Sequence, residues 1–246
     1  MAIYFASDFH LGLNAKKPSK EREQIIISWF DQISTDVESL YILGDLFDYW
    51  FEYRHVVPKG HIRVLAKIAE LTDKGIPVHL FTGNHDLWMF DYLSEELGVK
   101  IYKKPIYTTI NNKVFLLGHG DGLGPNDHGY KFIKRIFSNK INQWFFARIH
   151  PNLGMSMMKF FSRKSRESES TITPFQGDDK EWLIIYAEEQ IKIKHFDFCI
   201  FGHRHLPLDI TLSNKSSRYI NTGDWFEHYS YAKFESGTLE LKYFLQ

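Results

Sequence analysis

Apolar and polar positions along this chain repeat with two different periods. AIYFAS (2–7), SLYILG (39–44) and IPVHLFTG (76–83) are short apolar runs of strand length. Helical spacing fills the gaps between them, in EREQIIISWFDQI (21–33) and HIRVLAKIAELTDKG (61–75). In the second, Ile62, Leu65, Ile68 and Leu71 share one face, and Gly75 ends the pattern. A short helix over MFDYLSEELG (89–98) precedes IYTTINNKVFLLG (106–118), which reads as a hairpin turning at Asn111-Asn112. From about residue 126 to 194 the pattern is helical. Strands return in DFCIFG, LDITLS, RYINTG, YSYAKFES and LELKYF. The β-α-β-α order predicts one α/β sandwich over residues 1–246, with a helical insertion at about 126–194. No Pro/Gly/Ser-rich linker and no internal repeat divides it.

Composition narrows the function classes. Lys+Arg and Asp+Glu both total 30 among 246 residues, so net charge gives no global pull toward nucleic acid or an anionic membrane. Cys199 is the one cysteine and sits in the apolar run FDFCIFG, which excludes an internal disulfide and suits a reducing compartment. MAIYFASDFH has neither the basic start nor the apolar segment of a signal peptide, and no run is long enough to cross a bilayer. The expected location is cytoplasmic. The twelve histidines are the count that asks for placement.

Five polar clusters punctuate the scaffold, each just after an apolar run: Asp8-Phe-His10, Gly44-Asp45, Gly83-Asn84-His85-Asp86, Gly118-His119-Gly120-Asp121 and Gly202-His203-Arg-His205. Singly, each is an ordinary turn or a structural histidine. As an ordered set at strand ends, where open α/β sheets bind ligands, they point to one site. Asp8 and His10 are two apart and share a side of an extended chain, as do His203 and His205. Asp, His and Asn without thiolate suit Mn²⁺, Fe²⁺ or Zn²⁺, and the inventory is large enough for two ions. Two close cations need an anionic bridge, for which Asp45 is the natural candidate.

The clusters D-x-H, G-D, G-N-H-D, a strand-end His and G-H-x-H resemble, in order, the signature of the calcineurin-like metallophosphoesterases. The resemblance implies a four-layer α/β/β/α sandwich around a dinuclear centre, with Mn²⁺ the expected metal. Carried over residue by residue, Asp8, His10 and His205 bind one ion, Asn84, His119 and His203 the other, and Asp45 bridges. His85 becomes the catalytic histidine, acting on the leaving oxygen or on transition-state charge, with Asp86 orienting it.

YILGDLF, HGDGLGPNDHGY and GHRHLP resemble the UDP-2,3-diacylglucosamine hydrolases of lipid A biosynthesis, whose commonest form carries Arg where this chain has His85. That resemblance implies a UDP-linked diacylated glucosamine substrate, cleaved at its pyrophosphate, and work at the inner-membrane surface. Other phosphoesters (a nucleotide, a cyclic phosphodiester, a phosphoprotein) would use the same chemistry, and a non-catalytic scaffold would be expected to lose ligands.

From Lys131 to Arg166 the chain is rich in Lys and Arg, has no Asp or Glu, and places Phe132, Ile133, Ile136 and Phe137 at helical spacing. A basic apolar helix suits an anionic lipid interface, and its bulky aliphatic residues fit nucleic acid poorly. A helical core with solvated lysines outside would give the same pattern. Arg163, Lys164, Ser165 and Arg166 are candidate substrate contacts in this stretch. By analogy with the subfamily, Asp127 and Tyr130 join them, together with Asn84, His85 and His203.

Overall fold

The computed structural model describes residues 1–125, 128–169 and 174–245; at 128, 129 and 165–169 only the backbone is described. The first sheet is built from β1 (Ala2–Ala6), β2 (Val37–Ile42), β3 (Val78–Phe81) and β4 (Lys100–Tyr102), joined by the C-terminal hairpin β10 (Ser230–Glu235) and β11 (Thr238–Tyr243). Its order is β11-β10-β1-β2-β3-β4, with β1 to β4 mutually parallel. The second sheet, β5-β6-β7-β9-β8, comprises β5 (Ile106–Ile110), β6 (Lys113–Leu117), β7 (Phe198–Phe201), β8 (Leu208–Thr211) and β9 (Arg218–Asn221). Here β6, β7 and β9 run parallel.

Period-2 alternation sorts the strand residues into layers. Ile3 and Phe5 of β1 face inward onto Phe115 and Leu117 of β6 and Ile200 of β7, and the rings of Phe5 and Phe115 stack at 5.6 Å. Ala2, Tyr4 and Ala6 face the other way, into the apolar face of α1 (Ser19–Ile33), α2 (Ile62–Asp73) and α3 (Tyr92–Leu97). Phe198 and Ile200 join the core between the sheets, whereas Cys199 and Phe201 pack on Leu183, Ile184 and Ala187 of α7 (Trp182–Ile193). The layers are therefore helices, sheet, sheet, helix, as expected.

The stretch expected to be helical breaks into α4 (His128–Phe137), α5 (Lys140–Phe146), α6 (Pro151–Glu169) and α7. Packing separates α7 from the rest. It covers the second sheet, while α4 to α6 carry exposed large apolar side chains such as Phe132, Ile141, Trp144 and Phe145. They are fastened to the body by Trp88, whose indole N–H donates to the Phe137 carbonyl at 2.7 Å, and by the Phe51 and Trp88 rings against Phe146 at 4.8 and 4.7 Å. Among the described residues no helix is long and apolar enough to cross a membrane.

His79 on β3 gives the fold a pH dependence. It stacks on Tyr41 at 4.2 Å and 7°, and burial, then the nearby Lys100 charge, push its pKa down to about 4. The unfolded chain protonates it first, so stability is full above about 6.5 and falls as pH drops from there toward 4. Chemical unfolding with chelator present should show the stability difference between wild type and His79→Phe changing across that window. A constant difference would deny the coupling.

Candidate metal centre

The carboxyl ends of the parallel strands of both sheets converge, and every cluster read from the sequence sits there. Backbone strain marks the place. Asp8, His10, Asp45, His203 and His205 all have positive φ, making five of the eleven such non-glycine residues among those described. Left-handed conformations cost energy in residues with a Cβ, so their concentration at one point implies a function that fixes them. Gly83 serves the same packing: a Cβ there would lie 2.7 Å from the Asp45 backbone nitrogen.

Around Asp8 the geometry is tight. Its Oδ2 accepts the His203 backbone N–H at 2.9 Å and the Ser7 hydroxyl, and its Oδ1 lies 3.0 Å from His205 Nε2. His10 Nε2 stands 3.3 Å from His205 Nε2 and 3.6 Å from Asp45 Oδ2. One atom each from Asp8, His10, Asp45 and His205 falls within 4.8 Å of the others. Behind His10, the Asp48 carboxylate lies 3.5 Å from Nδ1. Burial opposes a charge on His10, but the Asp48, Asp8 and Asp45 carboxylates outweigh it and raise the pKa to about 10.

His119 opens the second half. Its Nδ1–H donates to the Leu43 carbonyl at 2.9 Å, which turns Nε2 toward Asn84 Oδ1 at 3.0 Å and Asp45 Oδ2 at 3.3 Å. Facing two oxygen acceptors, Nε2 is satisfied only by a second ring proton or by a cation between the three atoms. Burial works against an imidazolium there, yet Asp45 lifts His119 to about 10. The His203 ring lies 5.0 Å from that of His119 and stacks at 6.2 Å with Trp182. Burial first, then the His119 charge, pull His203 down to about 4.

Asp45 lies between the halves. Its Oδ1 accepts the His85 backbone N–H at 2.9 Å, and its Oδ2 is buried with no hydrogen-bond partner. Its burial favours the neutral acid, but the surrounding His119 and His85 hold the carboxyl below the usual range. A buried carboxylate oxygen without a donor, facing two imidazole nitrogens, is a donor set that fits a divalent cation.

The expected partnership of His85 and Asp86 resolves differently. The His85 ring is held by the Asp48 carbonyl at 3.0 Å and by Ser162 Oγ of α6 at 3.2 Å, both at Nδ1. The Asp86 carboxylate instead accepts the backbone N–H groups of Gly83 at 2.7 Å and Phe47 at 3.2 Å. Its two oxygens are thereby taken up in shaping the turn, one by each amide. Burial, then the Asp45 charge, raise Asp86 to about 7. Tyr130 donates to Asp121 Oδ2 at 2.6 Å and lies 6.3 Å from the His203 ring, at the edge of the site. Arg163 and Lys164 are exposed on α6, with Arg163 over the Phe160 ring at 5.9 Å. Ser165 and Arg166 are described only as backbone of α6, and Asp127 lies outside the described residues.

Asp48, Ser162 and Arg22 were not foreseen. Asp48 follows Asp45 by three in GDLFD, a spacing that carries a sequence signal; Ser162 and Arg22 carry none. Arg22 is 1% exposed on α1 and donates to the carbonyls of Leu13 at 2.8 Å, His10 at 3.2 Å, Trp225 at 3.3 Å and Phe9. It thus braces the loop that carries Asp8 and His10. Arg22→Met should cost about 3 kcal/mol in urea unfolding by stranding buried carbonyls. An unchanged midpoint would remove it from that role.

This geometry defines a class. The chain belongs to the calcineurin-like phosphoesterase family, which matches residues 1–207, and is accordingly a hydrolase; the family and the Asp8–His10–Asp45–His205 group together mark a divalent-metal site. The chain is 37% identical to the UDP-2,3-diacylglucosamine hydrolase of Porphyromonas gingivalis, with 98% of this chain and 96% of that protein covered. It is 27% identical to the protein of the same name from Aeromonas hydrophila, covering 92% of each. The solved structure of Yfce, a phosphoesterase from E. coli, matches 99% of this chain and 93% of its own at a TM-score of 0.50 and 17% identity, a likeness of fold.

Proposed function

We propose that this chain hydrolyses the pyrophosphate bond of UDP-2,3-diacylglucosamine to 2,3-diacylglucosamine 1-phosphate and UMP. The likeness at 37% identity, running through nearly the full length of a protein named for that substrate, carries the reading. Asp8, His10 and His205 would hold one ion, Asn84, His119 and His203 the other, with Asp45 shared and Mn²⁺ the expected metal. When bound, such ions supply Lewis acidity and lower the pKa of water so that it is nucleophilic near neutral pH.

The side chains around them do the rest. His119 Nδ1 is committed to the Leu43 carbonyl, which fixes its tautomer and leaves Nε2 as the ligating atom. Asp48 stands behind His10, its carboxylate 3.5 Å from Nδ1, and favours positive charge on that ring. His85 stands beside the group with Nδ1 donating to the Asp48 carbonyl, so its other nitrogen is the one left to reach the leaving oxygen. It would stabilise charge there as the imidazolium, with a proton on both nitrogens.

The exposed apolar row on α4 to α6 favours the lipid over a soluble phosphoester, since a small polar substrate would give Phe132, Phe145 and Phe160 nothing to bind. The same row, rich in Lys and Arg, would rest transiently on the inner face of the inner membrane, with the protein otherwise cytoplasmic. Chromatographic detection of UMP after incubating Mn²⁺-loaded protein with the lipid tests the proposal. A folded, metal-loaded sample that releases none would overturn it.

A further inference from the structure

Beside His119, where β3 and β6 end, lies a shallow recess open to solvent, lined by Thr82, Lys103, Lys104, His119, Asp121 and Lys134. Lys134 Nζ bonds Asp121 Oδ2 at 2.6 Å, and the Tyr130 hydroxyl adds a second bond to that carboxylate. Asp121 is thereby neutralised from within. Lys103 and Lys104 stand exposed on the opposite wall, and neither has a carboxylate partner among the described residues. Lys103 Nζ rests 5.4 Å from the centre of the Phe90 ring. Pro105 follows them and restricts the backbone of Lys104, so the two ammonium groups leave a stiffened turn. The recess therefore keeps an excess of two positive charges, one side chain away from Asn84 and Asp45 through His119.

A pyrophosphate brings two anionic phosphates. With the leaving oxygen on the His85 side, the phosphate at the metal centre is the one carried by UMP, and the nucleotide beyond it needs cations of its own within reach on the far side. The polarity of the surroundings decides which end of the substrate lies where. On the His85 side, Trp88 and Phe51 dock α5 and the end of α4, with their exposed apolar row, against the body. On the His119 side the wall is lysine. Acyl chains suit the first and a charged nucleotide the second.

We infer that the recess formed by Lys103, Lys104 and Lys134 is the subsite for the nucleotide end of the substrate, with Lys103 and Lys104 pairing with the phosphate carried by UMP. The inference rests on the proposed function for the identity of the nucleotide.

Calorimetric titration of the Mn²⁺-loaded protein with UMP and, separately, with glucosamine 1-phosphate tests it. Both lysines are exposed, so the double variant Lys103→Ala/Lys104→Ala should fold and keep the wild-type metal stoichiometry. Its UMP affinity should fall by about tenfold or more, with glucosamine 1-phosphate held within about twofold. Added salt should shrink the difference for UMP, because exposed charge pairs are screened. Equal UMP affinity in the two proteins, or a metal-loaded wild type that binds no UMP, overturns the subsite. A parallel loss for glucosamine 1-phosphate overturns its assignment to the nucleotide. Failure to release UMP from the lipid, with lysine-dependent UMP binding intact, would sink the proposed substrate and leave the subsite standing. Release from the lipid with lysine-independent UMP binding would do the reverse.

Discussion

Asp45→Asn is expected to lower turnover by about 10³-fold or more and to cut metal stoichiometry below that of the wild type. The residue is 1% exposed, and its carboxylate stands between two groups of donors. Oδ2 lies 3.6 Å from His10 Nε2 and 3.3 Å from His119 Nε2, while Oδ1 is occupied by the His85 amide. An amide of the same shape removes the one anionic charge common to both halves. Whichever way it flips, the carboxamide either points its NH₂ at two imidazole nitrogens or forfeits the bond from His85. Repulsion between the two cations of the proposed centre would then lack the one carboxylate shared by both. Metal analysis and turnover on one preparation check this, and a near-normal rate would deny Asp45 its shared role.

Sequence periodicity exposed most of the fold because half-buried strands and amphipathic helices write their burial into the chain. Where the signal failed, burial was not local. β4 is only Lys100–Tyr102, too short to show alternation, and exists because its backbone pairs with β3. The boundary between α6 and α7 was invisible for another reason. WLIIYA is apolar on all sides, as a covered helix is, so its periodicity points to no single partner face. Only its packing on Cys199, Phe201 and Tyr219 assigns it to the second sheet.

The candidate site divides along the same line. Residues attached to strand ends were legible, since a cluster following an apolar run is placed by the run. Arg22 and Ser162 reach the site from helices, through contacts spanning 9 to 203 and 77 positions respectively. Nothing in ERE or FFSRK announces that. Asp86 misled in the opposite sense: adjacency in G-N-H-D implied contact with His85, but the turn directs its carboxylate to the amides of Gly83 and Phe47.

His85→Ala is expected to lower turnover by about 10²-fold or more while leaving metal stoichiometry unchanged. The Asp48 carbonyl can only accept, so the imidazole bonded to it carries its proton on Nδ1. Burial acts first on the ring and pulls its pKa down, against the attraction of the Asp45 charge. The ring also packs edge-on against His10 at 4.7 Å, which holds it beside the proposed ligands without the Asp8–His10–Asp45–His205 group requiring it. Removing it should strip from the leaving oxygen the proton that the second ring nitrogen carries in the imidazolium form, and leave that group whole. His10, Asp48 and His85 also come within ligating distance of one another, which supplies the decisive contrast. Metal lost along with activity in His85→Ala would make His85 a ligand, and activity lost with metal retained makes it a catalytic residue. Ser162→Ala, which removes one contact to the ring and keeps the Asp48 carbonyl, should fall between wild type and His85→Ala in turnover. That ordering would tie the placement of α6 to the chemistry at His85, because Ser162 reaches this ring from that helix.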